Sequence, residues 1–416
     1  MALDAWATLL PSDSQGAKYD MTLKAGIATS THPSPIRAAE EVVAKAKAEA
    51  GIVRPDFVIL YATVAYPQEA LVRAVYAAAG GAPLIGCSAE GIISQAGSNE
   101  DTFAVMATVI ESDTLRFQIA SSEGLSQDSA VVGRSIGTEL ARGLAEDNLA
   151  VMVFADGLTL NFDRFAHGLA DSLQAPRFLP LLGGTAGDSW EFKKTFQYVN
   201  DRVLSDAAVC ALWSGPQRLA YGVNHGCIPI GKKRQITKAD GTIIYEIDHK
   251  PALQVMREYV DIDEENDWPK AIQNLALGFE APREISKQYD EYVIRYIPAK
   301  DDEDGSIRIP TEVKAGDGVW MTRRDHDKIQ TGIDRLVTDL RQQMGDAQPQ
   351  LVLQFDCAGR GKVIFKQDQL QALQKRLREG VSPHAPWSGF HCYSEIGPVN
   401  QRNLFHNFTA VVAALY

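Results

Sequence analysis

Apolar and polar positions follow the same order three times along this chain. Each time, a short run of adjacent apolar residues precedes a stretch whose apolar positions lie three or four residues apart, and a Pro-x-x-Gly turn and a second apolar run follow. Short continuous apolar runs are typical of strands buried on both faces, whereas spacings of three and four are typical of helices with one buried side. The pattern therefore predicts one β-α-β-β unit that is built three times.

The first two predicted units follow each other directly. The first contains a strand at 57–61, a helix at 69–79 and a long strand at 102–110. The second contains a strand at 151–154, a helix with one apolar stripe, and a strand at 207–213. A turn and a further strand of alternating character follow the long strand in both units.

The third predicted unit comes much later, with strands at 351–355 and 409–415. A charged, strand-rich stretch at 231–320 precedes it, and the acidic run at 301–305 is expected to form an exposed hairpin tip. The predicted fold class is α/β, of the mixed α+β kind, in which repeated β-α-β-β units form mixed sheets covered by helices. We expect two modules with a cleft between them.

Composition excludes several classes of function. The 416 residues, of which 45% are hydrophobic and 23% charged, suffice for a large core and two or three domains. A net charge of −12 argues against nucleic acid as a partner. No apolar run reaches the roughly 18 residues that cross a bilayer, so no membrane partner is expected. The segment 1–20 lacks the features of a secretory signal, and we interpret it as a partly mobile arm of a cytoplasmic protein.

The five cysteines do not indicate a disulfide framework or a zinc site, because their number is odd and none forms Cys-x-x-Cys. Cys210 lies within an apolar strand and is interpreted as a small core residue. Cys87 and Cys357 lie where helices are expected to begin, and a helix dipole there lowers a thiol pKa. A cysteine-dependent hydrolase or transferase therefore stays open as an alternative function.

Four glycine-rich segments lie where predicted strands end, at 86–91, 183–188, 355–361 and 389–397. Ligands of open α/β sheets bind at such strand ends, and glycines let backbone N–H groups approach a ligand. None of the four segments matches a phosphate loop or a dinucleotide fingerprint, and tight turns are the alternative interpretation. The candidate ligand-binding residues are Gly86, Cys87, Ser88, Gly184, Thr185, Gly187, Asp188, Cys357, Gly389 and Glu395.

These glycine segments, together with 226–231 and 405–409, resemble the motifs of the FIST family. The resemblance covers most of the chain. It implies an N-terminal arm with the first helix and strand at 1–53, a FIST N-terminal module at 54–248, and a FIST C-terminal module from 249 whose final strand, near residue 416, returns to the core. It also implies an intracellular sensory protein that binds a small ligand and is often encoded with signalling partners. A subgroup of similar proteins binds haem, senses nitric oxide and modulates histidine kinases or cyclic-di-GMP enzymes.

Haem would need an axial ligand, and His225 and His391 are the candidates because both lie on glycine-flanked segments. Ordinary hydrogen-bonded loop histidines are the alternative. Arg360 could hold a ligand carboxylate or a haem propionate, or pair with a nearby acid. In the stretch at 389–395, Cys392 and a serine stand where family members have other residues, which adds soft ligands and removes a glycine.

We predict a sensor of the FIST type and not an enzyme. The repeated glycine turns are expected to form one cleft in which backbone N–H groups, Asp188, Arg360 and Glu395 orient the ligand. One version binds a small metabolite such as an amino acid, and the other binds haem through His225 or His391. The sequence contains no recognisable kinase, cyclase or helix-turn-helix segment, so the signal is expected to pass to a partner such as a histidine kinase or a cyclic-di-GMP enzyme.

Overall fold

Three copies of one chain path account for most of the fold. The computed structural model describes residues 23–260, 268–286 and 289–416, and the predicted arm at 1–20 lies outside them. The first unit consists of β1 (Leu23–Ser30), α1 (Pro35–Ala50), β2 (Phe57–Ala62), α2 (Gln68–Ala78), β3 (Leu84–Ser88), β4 (Gly91–Ser94), β5 (Gly97–Asn99) and β6 (Val105–Ser112).

The second unit repeats this path without interruption. It consists of β7 (Arg116–Glu123), α3 (Leu125–Leu140), β8 (Asn148–Ala155), α4 (Phe162–Leu173), β9 (Leu181–Thr185), β10 (Gln197–Val199), β11 (Arg202–Leu204) and β12 (Ala207–Ser214), with a short 3-10 helix at Ala141–Gly143.

The third unit is split by an insertion after its first strand, β13 (Leu219–His225). The insertion contains β14 (Cys227–Asp240), β15 (Ile243–Ile247), β16 (Lys250–Pro251), α5 (Ala252–Met256), α6 (Trp268–Asn274), β17 (Ala276–Glu280), α7 (Arg283–Ser286), β18 (Tyr292–Arg295), β19 (Ala299–Lys300), β20 (Ile307–Arg308) and β21 (Gly318–Arg324). The unit then continues with α8 (His326–Met344), β22 (Leu351–Cys357), a 3-10 helix at Ala358–Arg360, α9 (Gln367–Val381), β23 (Trp387–Cys392), β24 (Glu395–Val399), β25 (Arg402–His406) and β26 (Thr409–Leu415).

Each unit builds a mixed sheet with the same strand order. The three sheets run β1-β6-β2-β3, β7-β12-β8-β9 and β13-β26-β22-β23. In each, the last two strands of this order are parallel and the others are antiparallel. The predicted mixed sheets covered by helices are therefore confirmed. The insertion forms a further antiparallel sheet in which β19 and β20 flank the predicted hairpin tip at 301–305.

The units are joined in a ring because each donates a hairpin to another unit's sheet. The hairpin β4-β5 pairs with β23 of the third unit, β10-β11 pairs with β3 of the first, and β24-β25 pairs with β9 of the second. Each sheet thereby gains two strands and has six. No unit has a complete sheet of its own, so the three units stabilise one another.

The helix α8 shows how capping and apolar spacing decide where a helix begins and which side it buries. In α8, the Asp325 side chain accepts a hydrogen bond from the Lys328 N–H at 2.9 Å and so caps the first turn. The same helix buries a stripe that includes Ile329, Ile333 and Leu336 against its sheet. No helix within the described ranges is both long and apolar enough to cross a membrane.

Aromatic rings fill the centre where the inner faces of the three sheets meet. Tyr61, Phe154 and Phe355 occupy equivalent positions of the parallel strands β2, β8 and β22. The ring centroids of Tyr61 and Phe154 lie 5.5 Å apart, and those of Phe154 and Phe355 lie 6.3 Å apart. Phe390 stacks on Tyr61 with 4.4 Å between centroids. The three similar units are arranged around a common centre, the pseudo-threefold axis. This centre is therefore a packed core and not a ligand site.

The glycines of the three Pro-x-x-Gly turns have a packing role. A Cβ atom at Gly86, Gly183 or Gly389 would lie 1.9, 1.9 or 2.3 Å from the carbonyl oxygen of Leu60, Val153 or Gln354 on the neighbouring parallel strand. Only glycine permits this close strand approach. The expectation that these three turns line one ligand cleft is therefore corrected: the repeated glycines are required between strands.

Candidate functional site

A cavity of about 450 Å³ lies between the second unit, the insertion and the third unit. We call it the interface cavity. It is bounded by the start of α3, the loop from Gly157 to Asn161, the end of β9, and the segments at 296–298 and 308–310 of the insertion. The third unit contributes residues 357–359, 393–394, 405 and 408. The cavity thus draws its walls from both predicted modules, although it lies beside the core and not on the pseudo-threefold axis.

One side of the interface cavity is formed by aromatic rings, which we call the aromatic wall: Trp190, Phe192, Tyr296, Tyr393 and Phe408. Phe192 lies nearly parallel to Tyr393, with 5.0 Å between centroids and 20° between planes. Phe192 is also nearly parallel to Tyr296, at 6.4 Å and 17°. Both distances are those of directly paired rings, so the surface open to a flat molecule is the part of Phe192 that stays exposed.

Two rings of the aromatic wall stand on a strained segment, residues 188–194, which we call the strap. Ser189, Trp190 and Phe192 adopt the left-handed conformation with φ of 62°, 62° and 52°. Side chains other than glycine rarely adopt it, and each instance costs of order 1–3 kcal/mol. Surrounding contacts must hold the strap in this form.

The Asp188 carboxylate stabilises the strap by accepting hydrogen bonds from its backbone. It accepts hydrogen bonds from the N–H groups of Phe192, Lys193 and Lys194 at 2.9, 2.6 and 2.8 Å. The Tyr393 hydroxyl donates to the same carboxylate and accepts from the Trp190 N–H at 3.1 Å. Asp188 therefore positions the aromatic wall, but it does not itself line the cavity.

Glu90 supports the strap from the first unit. Its carboxyl group accepts a hydrogen bond from the Trp190 N–H at 3.1 Å. Burial raises the pKa of Glu90 to about 7, although the hydrogen bonds from Trp190 and Tyr393 oppose that rise. Burial, followed by the Glu90 and Asp188 carboxyl groups, also raises the pKa of Tyr393 well above its usual value. Tyr393 is therefore a hydrogen-bond donor at every physiological pH.

The buried end of the interface cavity is polar. Thr185, Cys357 and Ser394 line it, and all three are almost completely buried. The Thr185 hydroxyl makes no hydrogen bond with a described residue, and neither does the hydroxyl of Thr159 in the same wall. Buried hydroxyls are normally paired, but both oxygens are covered by neighbouring protein atoms, so a ligand could pair with them only after those atoms move.

Charged residues lie at the exposed end. Arg164 and Arg308 line the cavity and are exposed to solvent. Arg164 pairs with Asp128 at 3.1 Å, and Asp128 also accepts hydrogen bonds from the N–H groups of Ala130 and Val131. Arg308 forms no ion pair with any residue in the described ranges.

Of the predicted ligand-binding residues, Thr185 and Cys357 line the interface cavity, and several others support its walls. The Ser88 hydroxyl donates to the Gly187 carbonyl oxygen at 2.7 Å and accepts from the Phe196 N–H at 3.0 Å. A Cβ atom at Gly187 would lie 2.8 Å from Glu90 Oε1, so this glycine makes room for the Glu90 carboxyl group.

The remaining predicted residues lie within packed strands. A Cβ atom at Gly184 would lie 2.9 Å from the Cys392 sulfur, and Cys87 belongs to the central core. Neither lines the interface cavity, and the same is true of Gly86 and Gly389. Close strand packing accounts for all four positions.

Arg360 and Glu395 lie behind the cavity wall. The Arg360 Nε donates to Asp356 at 2.8 Å, and the side chain is fully buried. Glu395 accepts a hydrogen bond from the Thr409 N–H at 3.1 Å. Burial, and next the Asp356 carboxylate, raise the pKa of Glu395 well above its usual range. Neither residue lines the interface cavity.

The two candidate histidines do not fit axial ligation of haem as they are placed. His225 is buried, accepts the Cys227 N–H at Nδ1 (3.2 Å) and has Asp290 3.1 Å from Nε2. His391 is fully buried and its Nε2 lies 2.7 Å from the Ser98 hydroxyl. An axial ligand needs a ring nitrogen open to a cavity, and neither imidazole lines the interface cavity. The placement of both imidazoles therefore argues against axial ligation, and an absorption spectrum tests whether the protein binds haem.

The thiols are not activated. Burial raises the pKa of all five cysteines: Cys87, Cys210, Cys227, Cys357 and Cys392. For Cys357, the N–H groups of Gly359 and Phe408 oppose this rise without reversing it. A protonated thiol is a poor nucleophile, so the site is better suited to binding than to cysteine chemistry. Within the described ranges, no cluster of three His, Cys, Asp or Glu side chains could hold a metal ion.

Sequence reasoning missed the contribution of the insertion. Tyr296 and Arg308 line the cavity, but neither belongs to a glycine segment or to a repeated unit. Phe192 was missed because it stands in an exposed polar stretch. The length of the segment between β9 and β10 could have indicated that Phe192 has a special role, because this segment is far longer than the equivalent segments after β3 and β23.

Comparison with known proteins agrees with this architecture. The sequence profile of the FIST N domain matches residues 56–250, and that of the FIST C domain matches residues 252–398. An uncharacterized protein of Mycobacterium tuberculosis is 26% identical over 418 residues, which cover 94% of this chain and 99% of that protein. One from Methanocaldococcus jannaschii is 29% identical over 192 residues, which cover 43% of this chain and 36% of that protein.

Two solved structures resemble the chain at low identity. Cyanuric acid hydrolase from A. caulinodans aligns over 95% of this chain and 99% of its own, with 10% identity and a TM-score of 0.37. A chorismatase aligns over 95% and 99%, with 8% identity and a TM-score of 0.34. These scores are too low to carry an argument about chemistry.

Proposed function

This chain belongs to the FIST family, and on that basis we propose that it is a sensor that binds a small molecule in the interface cavity. The observation that carries the proposal is a cavity at the junction of the second unit, the insertion and the third unit, whose aromatic wall includes the 39% exposed ring of Phe192. A volume of about 450 Å³ suits a metabolite.

The position of the cavity supports a sensory role. Its walls come from the second unit, the insertion and the third unit, so a bound molecule contacts both FIST modules at once. A ligand that contacts both modules favours the arrangement in which those contacts form. The strap, with its strained backbone, is the part of the wall whose conformation depends most on the surrounding contacts.

The chemistry of the site supports binding over catalysis. No thiol of the cavity is activated, and the carboxylate that lines it, Asp128, is engaged by Arg164 and by the N–H groups of Ala130 and Val131. General acid–base catalysis needs a titratable group within hydrogen-bond reach of the substrate. The output partner, a histidine kinase or a cyclic-di-GMP enzyme, is implied by the family resemblance alone and stays a proposal.

The test is a thermal-shift screen of small metabolites on the purified protein, repeated with Phe192→Ala. Phe192 is 39% exposed, so its removal should change the aromatic wall without unfolding the core. The matched control is Ile36→Ala, which removes a 47% exposed side chain of α1, away from the cavity. We expect at least one compound that stabilises the wild type and the control, and that stabilises Phe192→Ala much less. Equal stabilisation of all three proteins would contradict binding in this cavity.

A further inference from the structure

We propose that the ligand of the interface cavity is a flat ring that carries an anionic group, such as a carboxylate or a phosphate. This inference rests on the proposed function and specifies the chemical class of its ligand.

The aromatic wall selects a flat molecule. Phe192 is already paired with Tyr393 and with Tyr296, at centroid distances of 5.0 and 6.4 Å, so a flat ligand would add to this group of rings and not enter between them. Trp190 adds a fourth ring 6.0 Å from Tyr393. Stacked aromatic pairs are favoured beyond the burial of their area, and a saturated ring of the same size lacks that gain. Phe192, at 39% exposed, is the ring with the most surface still open to a partner.

The charge of the cavity is opposite to that of the chain. The whole chain carries −12, whereas the residues that line the cavity include two arginines, Arg164 and Arg308, one aspartate, Asp128, and no lysine or glutamate. Asp128 is already neutralised by Arg164 at 3.1 Å. Glu312 adds a negative charge nearby, because its carboxylate accepts a hydrogen bond from the lining residue Asn161 at 2.8 Å. Arg308 itself forms no ion pair with a described residue, so its guanidinium is available to a carboxylate or phosphate.

Two helix N-termini reinforce this field. The backbone of α3 bends at Asp128, whose φ and ψ of −158° and 100° are not helical, so that the regular helix begins beside the cavity. The helix α4 begins after Asn161, which also lines the cavity. Helix N-termini favour anions, although the first N–H groups here are already capped by the Asp128 carboxylate and the Asn161 side chain, which leaves only the helix dipoles to act on a ligand. This effect supplements Arg308 and would not suffice without it.

The burial of the lining residues sets the orientation of the ligand. Thr185, Cys357 and Ser394 lie at the buried end, whereas Arg308 is at the exposed end. Desolvation of an anion away from a positive charge is costly. The ligand is therefore expected to enter ring first, with its anionic group left near Arg308.

A matched series of probes tests this class. Titration calorimetry compares benzoate, phenyl phosphate, benzamide and cyclohexanecarboxylate on the wild type, on Arg308→Gln and on Arg202→Gln, an exposed arginine of β11 that does not line the cavity. We expect one of the two aromatic anions to bind about tenfold more tightly than benzamide, and more tightly than cyclohexanecarboxylate. Arg308→Gln should remove the preference for the anion, and Arg202→Gln should keep it.

The outcomes separate this inference from the proposed function. Benzamide binding as tightly as both aromatic anions, cyclohexanecarboxylate binding as tightly as benzoate, an unchanged preference in Arg308→Gln, or no binding by any probe would each overturn the inference. The proposed function would then still stand if the metabolite screen gave a compound sensitive to Phe192→Ala, and it would fall with the inference if the screen gave none.

Discussion

The hydroxyl of Tyr393 in the third unit donates a hydrogen bond to the carboxylate of Asp188 in the second unit. Through this contact, Tyr393 of the cavity wall holds the start of the strap. The strap contains Trp190 and Phe192, which both adopt the left-handed conformation. Asp188 was predicted to bind the ligand directly. In the structure Asp188 lies behind the cavity wall, where it holds the segment that a ligand would contact.

Tyr393→Phe should loosen the strap while it preserves the ring. The change removes the donor to Asp188 and the acceptor for the Trp190 N–H, so the free energy of unfolding should fall by about 1–3 kcal/mol. Urea denaturation measures this fall, and amide exchange should accelerate at residues 188–194. Tyr245→Phe is the control, because the Tyr245 hydroxyl makes no hydrogen bond with a described residue. An equal effect of both variants would show that the Tyr393 hydroxyl does not hold the strap.

Glu90 should make stability depend on pH. Its carboxyl group titrates near 4.5 when unperturbed, and burial raises the pKa to about 7 in the folded protein. As the pH rises from 4.5 to 7, the unfolded chain loses a proton that the folded protein retains, so this group disfavours folding increasingly. This loss in the free energy of unfolding is absent below about pH 4.5 and reaches its full value above about pH 7. The full loss is roughly 3 kcal/mol.

Glu90→Gln removes that titration and keeps an acceptor for the Trp190 N–H. Its free energy of unfolding should therefore rise relative to that of the wild type between pH 4.5 and pH 7. Urea denaturation across this range gives the difference, with Glu69→Gln, an exposed glutamate of α2, as the control. A constant difference between Glu90→Gln and the wild type at all pH values would refute the titration of Glu90 in this range.

The cysteines should be inert in the native protein. All five are buried, and burial raises the pKa of each thiol. A chromogenic disulfide reagent at pH 8 should react slowly with the folded protein and with five thiols after denaturation. Rapid reaction of a single native thiol that Cys357→Ser abolishes would instead favour the cysteine-dependent enzyme.

Hemin should not form an axially ligated complex with the folded protein. His225 and His391 are buried, and each has a ring nitrogen within hydrogen-bonding distance of a neighbouring side chain. We expect no sharp Soret band on titration with hemin. A stoichiometric band that His225→Ala or His391→Ala removes would restore the haem version of the function and require the surrounding strands to move.

Local patterns in the sequence predicted the elements of the three units. The apolar run at 57–61 is the strand β2 (Phe57–Ala62), and the helix predicted at 69–79 is α2 (Gln68–Ala78). The strand predicted at 409–415 is β26. These positions are decided by apolar spacing within one segment, which the sequence displays directly.

The exchange of hairpins between units was not predictable in the same way. The pairing of Ile93 with Gly389, or of Tyr198 with Gly86, joins residues that are far apart in the chain, and no local pattern encodes such a register. The site was missed for a related reason. Its walls combine Thr185 and Cys357 from the glycine segments with Phe192 and Arg308 from stretches that look like solvated loops.

A crystal structure of the protein with the strongest compound from the metabolite screen tests the central claim most directly. The compound is expected to occupy the interface cavity and to stack on Phe192 or Tyr393. A compound bound on another face of the protein, with the interface cavity left to solvent, would contradict it.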